Sequence, residues 1–74
     1  MRREDLLELL RQQPFMPFRL HLSDGTRFEI RHPDMAIVGR STMAVSLTPD
    51  ATGERQAIIA LLHVMWIEVV VPAM

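Results

Sequence analysis

The sequence predicts a mainly β domain: an N-terminal helix followed by five short strands, the second of them long and bent. Three observations predict it. Residues 18–30, FRLHLSDGTRFEI, alternate apolar and polar side chains on both sides of an Asp24-Gly25 dipeptide. A leucine stripe precedes them and stops at two prolines. The C-terminal third is rich in β-branched residues.

The helix is expected over residues 3–12. Leu6, Leu9 and Leu10 fall at i, i+3 and i+4, and Leu7 widens the stripe. Glu4 and Asp5 stand in the first turn and Arg11 in the last, which suits the helix dipole. Pro14 and Pro17 end it. A helix this short does not hold in water alone, so its leucine face must rest on the sheet.

In the hairpin, Phe18, Leu20 and Leu22 share one face, and Arg19, His21 and Ser23 the other. Beyond the turn, Phe28 and Ile30 alternate with Arg27, Glu29 and Arg31. Such alternation around Asp-Gly is the strongest short-range hairpin signal, because aspartate tolerates positive φ and glycine adopts it freely. The second strand continues past Arg31 with an interruption at His32-Pro33-Asp34, where proline removes a ladder donor and makes a bulge, a bend or a strand edge. Met35 to Val38 resumes the apolar run, and Gly39-Arg40-Ser41 forms the next turn. Residues 42–47 alternate again, with Met43, Val45 and Leu47 on one side. Residues 48–54, TPDATGE, are a loop by composition.

Residues 56–62 and 64–71 include good helix formers, yet Ile58, Ile59, Val64, Ile67, Val69, Val70 and Val71 crowd a helix at χ1. They read as strands. Apolar residues on both parities there imply burial on both faces or cover by another subunit. Met35, Met43 and Met65 fit core positions, and Trp66 fits a core or interface anchor.

The whole chain, 1–74, makes one domain, with a helix over 3–12 and a sheet over 18–71. A domain of 74 residues is marginally stable without support, and the absence of cysteine rules out disulfides. With 49% apolar residues, oligomerisation is the expected support. The net charge of −1 carries no overall nucleic-acid signature, and no DNA binding is expected. Arg2, Arg3, Glu4, Asp5 and Glu8 are too charged for a signal peptide. The apolar run over 57–71 is interrupted by His63 and Glu68 and falls short of the roughly 20 residues that span a bilayer. A soluble, cytoplasmic protein without membrane contact is expected.

The order of these motifs resembles the Sm-like superfamily, in its Hfq-like branch. The strand, Asp24-Gly25 turn, second strand, and Asp34 ahead of Met35 to Val38 are similar to the first half of that signature. Leu61-Leu62-His63 followed by Ile67, Glu68, Val69, Val70, Val71 and Pro72 is similar to the second half. The resemblance implies a small barrel built from a strongly bent five-stranded antiparallel sheet, with a tight 3₁₀-like turn between the last two strands. It also implies a ring-shaped homo-oligomer, a hexamer or heptamer, closed by pairing the fourth strand with the fifth strand of the next copy. His63, Asp34 and Leu62 would line the pore or an RNA site.

The chain departs from that family where RNA is held. Ala36 stands where an aromatic residue stacks a base, and Leu62 replaces a lysine. RNA recognition needs stacking surfaces and cations. The resemblance therefore implies the ring more than RNA binding. His63 either touches a base or is a turn histidine bonded to the backbone, and the second weighs more. No two of His21, His32 and His63 have zinc-ligand spacing. Arg19, Arg27, Arg31 and Arg40 read as a solvated strand face interrupted by Glu29. Ser41 and Ser46 have no base nearby in sequence, and no glycine-rich phosphate loop occurs. No enzyme activity or cofactor is expected. The function expected is a non-catalytic protein-interaction or scaffold module. The alternative is an Hfq-type ring for single-stranded RNA.

Overall fold

The computed structural model describes residues 1–47 and 55–70. Among these residues there are one α-helix, α1 (Arg3–Arg11), and six strands. These are β1 (Phe18–Leu22), β2 (Arg27–Ile30), β3 (Ala36–Val38), β4 (Thr42–Ser46), β5 (Gln56–Ala60) and β6 (Val64–Val69). Two 3₁₀ turns, Pro33–Met35 and Leu61–His63, join strands of different sheets. The fold is mainly β, as the alternation predicts. The loop expected over 48–54 and the strand end expected at Val71 and Pro72 lie outside the described residues.

The expected single bent sheet of five strands is corrected to two three-stranded antiparallel sheets, ordered β2-β1-β6 and β3-β4-β5. The cause lies at Pro33. A proline cannot donate to a ladder, and here it opens a 3₁₀ turn closed by the Met35 amide on the His32 carbonyl, 3.1 Å. The expected second strand is thereby cut into β2, which pairs with β1, and β3, which pairs with β4. The 3₁₀ turn at Leu61–His63 does the same between β5 and β6.

Both hairpin turns form where Asp24-Gly25 and Gly39-Arg40-Ser41 place them. In the first, Gly25 has φ +91° and its amide reaches the Leu22 carbonyl at 3.0 Å. Asp24 Oδ1 accepts the Thr26 amide at 2.9 Å, so the aspartate side chain closes its own turn. In the second, the Gly39 amide donates to the Thr42 carbonyl at 2.8 Å.

The inner faces of the two sheets share one core. Phe18, Leu20 and Ile30 come from the first sheet, Met43, Val45 and Ile59 from the second, and all are buried. Leu6 closes the core from α1, which lies against β3. The leucine stripe therefore rests on the sheets, as its length demands. The helix ends at Arg11, with Gln12 already extended.

Leu47 and Met65, expected on the core side, turn outward, and Trp66, expected as a core or interface anchor, is half exposed. Leu47 is exposed past the end of β4. Met65 is the extra residue of a bulge, because His21 pairs with Trp66 while Leu22 pairs with Val64. A bulge residue leaves the alternation and turns out of the core. Trp66 then falls on the outer parity.

Candidate functional site

The residues expected to line a pore fall on both 3₁₀ turns. Asp34 lies in the first, exposed and with no ion pair among the described residues. Leu62 and His63 lie in the second, and Leu62 is 88% exposed. Ala36 is buried at 7% exposure, whereas the adjacent Ile37 points outward. A buried alanine offers a base nothing to stack on.

The structure brings His63 to the Asp24-Gly25 turn. The Ser23 amide donates to the His63 carbonyl at 2.8 Å, and Ser23 Oγ lies 3.2 Å from His63 Nδ1. The histidine ring thus bonds a side chain 40 residues away rather than the backbone. Asp24 is held below the usual carboxylate range by the Thr26 amide first and the Thr26 hydroxyl next, with a smaller pull from His63. Ser23 and His63 have the spacing of a nucleophile and base. Among the described residues no side chain bonds Nε2, and the pair joins the first hairpin turn to the second 3₁₀ turn. Beside it an open groove of about 400 Å³ runs between the hairpin tip and β5. Leu22, Phe28 and Ile58 line it.

A second constellation covers the outer face of the β2-β1-β6 sheet. The register sets Arg19 between Glu29 and Glu68, and His21 between Arg27 and Trp66. Arg19 donates to Glu29 Oε1 at 2.7 Å and to Glu68 Oε1 at 3.1 Å. His21 Nε2 donates to Glu68 Oε1 at 3.0 Å. Arg31 closes on the other Glu29 oxygen at 3.2 Å. The bond to Glu29 holds the Arg19 guanidinium above its usual value. Arg19 and then Arg31 hold Glu29 below the usual range, and His21 and then Arg19 do the same for Glu68. Alternation alone shows Arg19, His21 and Glu29 on one face, but the place of Glu68 and Trp66 needs the β1–β6 register.

The Trp66 indole stacks on the His21 ring, centroids 3.8 Å apart and planes within 3°. It remains 52% exposed. Other exposed apolar side chains are Ile37 on β3, Leu47 after β4, Ile58 on β5, Leu62 in the second 3₁₀ turn, and Met65 and Val69 on β6. Among the described residues β2, β3, β5 and β6 each pair on one side only, so each offers an open edge.

Among the described residues no group of three metal-ligating side chains converges, and no helix is long and apolar enough to cross a membrane. Compared with protein-family models, with curated proteins and with solved structures, the chain matches none.

Proposed function

We propose that this chain is a non-catalytic Sm-like module that assembles head to tail into a ring-shaped homo-oligomer, a hexamer or heptamer, and acts as a protein-interaction or scaffold unit. One observation carries the reading: among the described residues most of the exposed large apolar side chains fall on two open strand edges and the turn that joins them, with Ile37 on β3 and Leu47 after β4 lying elsewhere. Ile58, Leu62, Met65, Trp66 and Val69 all lie within β5, the second 3₁₀ turn and β6. Open, apolar edges are templates for strand addition. The two edges belong to different sheets, so joining β5 of one copy to β6 of the next is a heterologous contact, and such contacts generate rings when the rotation closes. Because the bent strand is two strands here, these are the fourth and fifth strands of the Sm-like plan. The helix ahead of the sheets and the 3₁₀ turn between the last two strands also fit that plan. Light scattering at micromolar concentration tests the proposal. A mass several times 8.5 kDa is expected, and a monomer mass overturns it.

An Hfq-type ring for single-stranded RNA is the second reading, favoured by the exposure of Asp34 and His63 on the two turns. Against it stand the buried Ala36, the apolar Leu62, and the exposed Glu4, Asp5 and Glu8 on α1. Filter binding of oligo(U) and oligo(A) at two salt concentrations separates the readings. Phosphate contacts must weaken as salt rises. Submicromolar binding lost on His63→Ala would establish the second reading.

A further inference from the structure

We infer that His21 is a proton-controlled clamp on Trp66: charging its ring tightens the His21–Trp66 stack, so that mild acid fixes the exposed indole and mild base frees it. A single copy of the chain suffices for this, assembled or not.

The clamp is built across two strands. His21 on β1 and Trp66 on β6 are cross-strand partners. Their ring centroids lie 3.8 Å apart with planes within 3°. One face of the indole is thereby covered, while the residue keeps 52% exposure. Among the described residues no hydrogen bond holds the indole N–H, and no ring other than the imidazole stacks on it. The place of Trp66 on the sheet surface therefore depends on His21. The imidazole is the more enclosed of the two, with 15% of its side chain exposed. Its Nε2 lies 3.0 Å from Glu68 Oε1, an oxygen that Arg19 also grips at 3.1 Å.

Between about pH 5 and 8 His21 is the group on this face that changes charge. Its charged neighbours are Arg19 on β1, Arg27 and Glu29 on β2, Arg31 just past β2, and Glu68 on β6. Arginine stays protonated throughout. Arg19 and then Arg31 hold Glu29 below the usual carboxylate range, and His21 and then Arg19 do so for Glu68, so both stay ionised.

A proton on His21 strengthens both of its contacts. The bond to Glu68 becomes one between a cation and a carboxylate. A cation within about 6 Å of an indole centroid is drawn to the negative face of the ring, and the imidazole already sits there. Two arginines oppose the charge. Arg19 spends its own on Glu29 and Glu68. Arg27, the partner of His21 on β2, is exposed, and solvent and salt screen it. The two direct contacts therefore decide the sign.

Trp66 is the only tryptophan, so its emission reads the clamp. The test is acrylamide quenching of the full chain at pH 8 and pH 5, at a concentration where light scattering gives the same mass at both. Charging His21 is expected to raise the ratio of stacked to unstacked indole roughly two- to fivefold, read as weaker quenching in acid. His21→Gln keeps a donor for Glu68 and removes the titrating ring, so its quenching should be the same at both values. Glu68→Gln keeps both rings and should shrink the response, which serves if His21→Gln does not fold. Equal quenching of the wild type at both values overturns the clamp. So does a response that survives in His21→Gln, or one lost instead with His63→Gln, which would place the titration at the Ser23 turn.

Discussion

Gly25 holds φ +91° in the β1–β2 turn, and beyond Gly25 and its two chain neighbours no heavy atom lies within 4 Å of the place a Cβ would take. Space is free there, and conformation is the constraint. Gly25→Val is therefore expected to cost about 1–3 kcal/mol through backbone strain, read from denaturant melts. Coinciding melts would mean that the turn tolerates a β-branched residue. Glu29 and Glu68 give the next expectation. Their carboxyl groups titrate below the usual range in the fold, because Arg19, His21 and Arg31 bond the ionised form. A depressed folded value stabilises the fold above the ordinary carboxylate pKa, and that stabilisation is lost as pH falls through the folded value. Melting temperature should therefore fall on acidification below about pH 4. Glu68→Gln should flatten that fall, and a variant that keeps the wild-type acid slope would place the sensitivity elsewhere.

At the scale of the element, α1 is held by one residue more than by its stripe. Leu6 is wholly buried in the shared core, whereas Leu7 on the same helix is only half-buried. Leu6→Ala is expected to cost about 2–5 kcal/mol, a large share of a small domain's stability. Leu7→Ala should cost much less, and circular dichroism melts of both variants check the order. Equal losses would mean that the helix packs by its whole stripe. β3 carries a related expectation. Ala36 is buried against the core, so Ala36→Phe should destabilise by about 1–3 kcal/mol through overpacking rather than supply a base-stacking surface. A stable Ala36→Phe protein with new oligo(U) affinity would contradict that.

For the whole molecule, assembly and stability should be linked. The proposed assembly would cover Ile58 and Trp66 between copies and so favour the folded state by mass action. The melting temperature is expected to rise with protein concentration, as differential scanning calorimetry over a hundredfold range would record. A constant value would argue that the edges stay open. Glu68 and the Trp66 stacked on His21 both belong to β6, so ion-pair variants at Glu68 should shift oligomer mass as well as acid sensitivity.

The residues themselves determined the helix, the two tight turns, the strands and most of the core, because each depends on neighbours in sequence. Leucine spacing sets the buried stripe, Asp24-Gly25 sets the reversal, and alternation sets which of Phe18, Arg19, Leu20 and His21 faces inward. Pro33 already marked the break in the second strand, but whether a strand bends through a proline or ends there depends on where its donors find partners. The tertiary structure decided that, by sending β3 to β4 and leaving two sheets. It also decided the sites. Ser23 meets His63 and His21 stacks on Trp66 only because β6 returns beside β1 with a bulge at Met65. A bulge shifts parity by one residue, and no periodicity within β6 alone reveals which partner it will face.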